Sequence, residues 1–151
     1  MPTVIPQTEL PHYTGTPRRM STEDYAIWYR WRQIDRNPWI KFHFDVGVGS
    51  GKDPGPNVSA ADAAMWLQNT QKRIDVLGEL ADRVVIIELR QRAQPNALGR
   101  LLVYKTLYEE NPLDARPVEL WLVTDTPDPE LERIARSYGV KYVLVPARQR
   151  G

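Results

Sequence analysis

Cysteine is absent from the 151 residues. That excludes disulfides and thiolate chemistry, and it fits a reducing cytoplasm as well as a particle assembled there and later released. Histidine occurs only as His12 and His43, in no metal-ligand spacing, so no zinc site is assigned. No apolar run approaches the roughly 18 residues needed to span a bilayer. The opening MPTVIPQTELPHY lacks the basic start and continuous apolar stretch of a secretory signal, so export by that route is not expected. An excess of either charge is missing too: the formal net charge is +1, which argues neither for nor against nucleic acid. The kind of charge is skewed, however. Fifteen arginines stand against five lysines, which suits planar contacts to carboxylates, phosphates or aromatic rings.

The length is that of one domain. Prolines at 2, 6, 11 and 17, with no helical or alternating apolar pattern, make residues 1 to 20 an extended arm, expected to gain order by lying against a neighbour. Residues 21 to 146 form the folded domain, and residues 147 to 151, ARQRG, a basic tail.

Ser21 and Thr22 signal a helix start, and Tyr25, Ile27, Trp28, Trp31 and Ile34 recur at helical spacing until Asn37-Pro38. With Trp39, the two tryptophans of that helix form either a core wedge or a partner anchor. WIKFHFDVGVG alternates Ile40, Phe42, Phe44, Val46 and Val48 on one face with Lys41, His43 and Asp45 on the other, the period of a half-buried strand. A loop and a short helix from Ser59 through Leu67 follow. The strands RIDVLGEL and RVVIIELR then form a hairpin on Ala81-Asp82. A helix begins at Pro95 with a stripe of Leu98, Leu101, Leu102 and Tyr108, and the strand VELWLVTD follows it. In a last helix Leu131, Ile134, Ala135 and Tyr138 face inward; Gly139 ends it, and VKYVLV is the final strand. This order predicts an α/β fold: a mixed sheet flanked by helices, antiparallel early and joined by crossovers late.

GVGSGKD imitates a phosphate-binding loop but fails on three counts. Val46 occupies the first glycine position, Asp53 replaces the magnesium-binding hydroxyl, and Asp53-Pro54-Gly55-Pro56 forbids the helix that should hold the phosphate.

The chemistry concentrates in the hairpin. A turn on Ala81-Asp82 makes paired positions sum to 163 and sets Asp75 opposite Glu88, their carbons about 5 Å apart on one face. Two carboxylates so placed need a positive group between them. A divalent cation such as Mg2+ takes oxygen ligands of this kind; alternatively Arg90, two residues beyond Glu88 and on the same face, supplies the charge.

A hairpin carrying ID on one strand and IELR on the next, followed by the helix ALGRLLVY, resembles the core of the PD-(D/E)XK nuclease-like superfamily, the restriction-endonuclease fold. The resemblance spans residues 21 to 145. It implies Asp75 and Glu88 as ligands of Mg2+ or Mn2+, with Arg90 in the position of a lysine that activates water and Arg100 where a glutamine often assists. The overall layout is similar to small phage-encoded members of the superfamily, several of which lack the lysine. Arginine, with a pKa of about 12.5 or more, cannot serve as a general base near neutral pH. The expectation is therefore a degenerate site (Asp75, Glu88, Arg90, Arg100) in a virion structural or assembly protein, near the head-to-tail junction. Such a protein is made in the host cytoplasm, docks through its arm to other virion proteins and forms a homo-oligomer. A metal-dependent DNA nuclease and a non-cleaving nucleic-acid binder are the alternatives.

Overall fold

In the computed structural model, which describes residues 2 to 147, ten elements follow one another. They are β1 (Gln7–Glu9), α1 (Thr22–Ile34), β2 (Lys41–Val48), α2 (Ala60–Thr70), β3 (Lys72–Glu79), β4 (Val84–Arg90), α3 (Pro95–Glu110), β5 (Val118–Thr124), α4 (Pro129–Ser137) and β6 (Val140–Leu144). The six strands form one sheet in sequential order. β1 to β4 run antiparallel, while β5 and β6 pair in parallel through α3 and α4. The predicted α/β class, with a mixed sheet flanked by helices, is the one observed. None of the helices is long and apolar enough to cross a membrane, among the described residues.

Helix ends follow their local chemistry. Ser21 caps α1 by accepting from the Asp24 N–H, Ser59 caps α2 from Asp62, and Asp128 caps α4 from Leu131, each satisfying an otherwise orphaned amide. Gly139, at φ 74°, takes the left-handed turn that ends α4.

The sheet carries a core on each face. On one side α3 and α4 bury Leu101, Tyr104, Tyr108, Leu131 and Ala135 against β2 to β6. On the other, Trp28 and Trp31 of α1 meet Trp39, Phe42, Phe44 and Trp121. Ring centroids in this second cluster lie 4.9 Å (Trp39 to Phe42) and 5.3 Å (Trp39 to Trp121) apart, so the tryptophans are core rather than partner anchors. Asp35 fixes Trp39 by accepting from its Nε1 at 2.6 Å and from Arg32 Nη1 at 2.8 Å.

Several expectations require correction. The alternation in β2 does not hold one face: Phe42 and Phe44 belong to the α1-side core, Val46 and Val48 to the α3-side core. Asp45 adopts φ 56° between them, and β3 changes face at the same level, Val76 lying on the α1 side and Ile74 on the α3 side, so the register of the two strands is kept. His43 and Asp45, expected in solvent, are buried. Ile134 and Tyr138, expected inside, are 43% and 61% exposed, because only Leu131 and Ala135 of α4 reach the sheet. Helix α2 buries none of its residues.

The segment expected as an arm clamped by a neighbour is clamped by its own chain. Val4 bridges Gly47, and Gln7, Thr8 and Glu9 pair with Phe44, His43 and Phe42. The Thr8 hydroxyl sits 2.6 Å from His43 Nδ1, and His43 Nε2 is 2.5 Å from Glu79. Glu79 in turn pairs with Arg116. Hydrogen bonds from His43 and Arg116 outweigh the desolvation that opposes them and lower the Glu79 pKa. Of the basic tail, residues 148 to 151 lie outside the described residues.

Candidate functional site

The register of the hairpin is the one that places two acids together. Val76 pairs with Ile87, Leu77 with Ile86 and Gly78 with Val85, so Asp75 and Glu88 are the next opposed positions. The backbone ladder stops just before them. That frees the Leu89 N–H, which donates instead to Asp75 Oδ2 at 3.3 Å.

Arg90 ends β4 and its guanidinium gathers the acids. Nη1 lies 3.2 Å from Asp75 Oδ2 and 3.5 Å from Asp24 Oδ2, and Nη2 contacts Glu88 Oε1. Asp24 comes from the first turn of α1, which crosses over β4. It was not singled out in the sequence, where it reads as a helix-start residue; only its position on a helix that packs over IELR would have marked it. Arg100 does not join the ion pairs. It is exposed on α3 and lines a surface cavity of about 380 Å3 with Lys72, Gly99, Val103 and Tyr104, near enough to Glu88 to act on it through space. Three carboxyl groups therefore surround one guanidinium.

That imbalance is met by protons. Glu88 is 1% exposed. Burial, then the neighbouring Asp75, push its carboxyl from 4.5 up to about 8, against the pull of Arg90 and Arg100. Desolvation likewise raises Asp75, with Arg90 and the Leu89 amide opposing it. Desolvation works against a charged Arg90, yet the Glu88, Asp75 and Asp24 carboxylates prevail and raise its pKa. Neither Glu88 oxygen meets a donor in hydrogen-bond geometry. A Glu88 that keeps its proton can donate it to Asp75, which gives one of the two oxygens a partner, and the two acids then titrate as a unit. Tyr104 on α3 faces the same pair; burial and these carboxylates push its hydroxyl up to about 12.

A divalent metal, which the superfamily resemblance implies on Asp75 and Glu88, does not fit these side chains as they stand. The guanidinium already occupies the space between them, and the burial that raises the Glu88 pKa disfavours the ionised form that metal ligation needs.

One strand over, at the same end of the sheet, a second cluster reverses the ratio. Arg18 Nε, Arg19 Nε and Arg73 Nη1 lie 3.0, 3.6 and 3.5 Å from the single buried carboxylate of Asp45. Desolvation lowers the Arg73 pKa, and Arg19 and Arg18 add to that against Asp45. Comparison with protein-family models, curated proteins and solved structures finds no match for the chain.

Proposed function

We propose that the protein is a non-cleaving domain built on a restriction-endonuclease-like core and used as a structural component in the assembly of a phage particle. The single observation that carries the loss of catalysis is the seat of Arg90. A group that must take a proton from water is replaced by one that cannot, and that group is held by Asp24, Asp75 and Glu88. The order α1, three antiparallel strands, α3 and a parallel β5 supports the core assignment. The phage context is drawn from the resemblance of IELR and ALGRLLVY to small phage-encoded members of the superfamily. The arm covers its own β2 edge, so assembly contacts are assigned to other surfaces.

A nucleic-acid binder is the second reading. It is favoured by the three guanidiniums on Asp45, with Lys72 and Arg100 on the adjoining cavity. Its signature is affinity that falls steeply with salt as counterions are released.

Plasmid cleavage in Mg2+ and in Mn2+ decides between the readings of the site. The wild type should leave the plasmid intact, and cleavage that disappears in Glu88→Ala would restore the nuclease alternative. Arg90→Lys reports on ancestry, since metal-dependent cleavage gained by that change identifies a disarmed active site. Mass spectrometry of purified particles from the source should find the chain at fixed stoichiometry; its absence would remove the virion role.

A further inference from the structure

The two edges of the sheet are treated differently. At one, β1 is three residues long and lies between Pro6 and Pro11, so further strand pairing is blocked. At the other, β6 runs five residues in unbroken register with β5, with no proline inside it. Its lysine does not guard the edge: Lys141 Nζ is drawn over the Trp121 ring, 4.1 Å from the centroid, on the face of the sheet. Val145 N–H donates to Thr124 at 2.8 Å. Strand alternation therefore turns the amides of Val143 and Lys141 toward β5 and leaves those of Tyr142 and Leu144 pointing outward. Among the described residues nothing pairs with them.

Exposed apolar groups flank this edge on both faces. On the α4 side stand Ile134 and Tyr138, one helical turn apart, with Leu144 beside them at 39% exposed. On the α1 side a groove of about 250 Å3 opens between Tyr29, Ile34 and Val145-Pro146. Single exposed apolar residues need no explanation, but a set bordering an unguarded strand does.

We infer that β6 is an interface for a second copy of this chain, pairing antiparallel with the β6 of its partner so that the two sheets become continuous. The strand VKYVL is complementary to itself. With the two-fold axis at Tyr142, Val140 faces Leu144 and Lys141 faces Val143, so no like charges meet. Such a contact closes on itself, whereas pairing β6 with the proline-bounded β1 edge would propagate without end. This inference does not rest on whether the site cleaves.

Sedimentation velocity on the full chain, from about 1 to about 100 μM, is the test, because standard interfaces self-associate within or below that range. The wild type should sediment at twice the chain mass. Leu144→Pro removes one outward amide and no bond to β5, and should raise the dimer dissociation constant at least tenfold. The double variant Ile134→Lys, Tyr138→Lys alters exposed side chains only and should do the same if Leu144→Pro fails to fold. A wild type that stays at the mass of one chain throughout, or folded variants that dimerise as tightly as the wild type, would overturn the assignment.

Discussion

Replacing Glu88 with glutamine should stabilise the protein, and by an amount that grows with pH. In the folded chain burial and Asp75 hold the Glu88 carboxyl at about 8; unfolded, it returns to 4.5. Below 4.5 both states are protonated and the group costs nothing. As pH rises from there, the unfolded carboxyl ionises while the folded one keeps its proton, so stability falls by about 1.4 kcal/mol per pH unit until the folded group also titrates. Across that window the loss approaches about 5 kcal/mol, a large share of the about 5 to 15 kcal/mol that holds a domain folded. The glutamine introduced by Glu88→Gln has no proton to lose, and its amide can donate to Asp75 as the acid does. Urea unfolding of both proteins should give a gap below about 1 kcal/mol at pH 5, about 3 at pH 7 and about 5 at pH 9. A gap that is flat with pH, or a variant less stable than wild type at pH 7, would mean that Glu88 is an ionised partner of Arg90, and the reasoning from proton sharing would fail.

Two further outcomes follow from the packing. Gly78→Ala drives a Cβ into the Trp39 ring, and should cost about 1 to 3 kcal/mol in chemical unfolding as the aromatic cluster shifts; a neutral result would show that Trp39 is free to move. Thr8→Val removes the hydroxyl on His43 Nδ1, and about 1 kcal/mol should be lost. Hydrogen exchange should locate that loss at β1 and the β2 amides it covers, and protection unchanged there would show that the arm is held by its other contacts.

The hairpin was the most legible part of the molecule, since a two-residue turn between apolar runs fixes a register, and that register places Asp75 and Glu88 opposite each other. Helix caps and crossovers were legible for the same local reason. What was hidden depends on contacts between distant segments. Asp24 enters the site because α1 crosses β4, and no periodicity within residues 21 to 34 reports that. The alternation of β2 misleads because β2 and its partner β3 change face together at Asp45 and Asp75, and side-chain type does not announce that. The prolines of residues 1 to 20 correctly signalled extension, but where an extended segment lies is settled by the unpaired β2 edge and the buried His43 that it meets. On α4 the apolar stripe is wider than the buried face, because one turn of a nine-residue helix suffices to cover the end of the sheet.

The guanidinium of Arg90 takes the place of a metal cation among Asp24, Asp75 and Glu88. Calorimetric titration of Mn2+ at pH 8 into wild type and Arg90→Ala measures that directly. The wild type should bind no ion at this position, and the variant, with Asp24, Asp75 and Glu88 released, should bind one in a manner abolished by adding Glu88→Gln. Wild-type binding of a single Mn2+ that Glu88→Gln removes would contradict the account, since metal and guanidinium cannot share the same carboxylates.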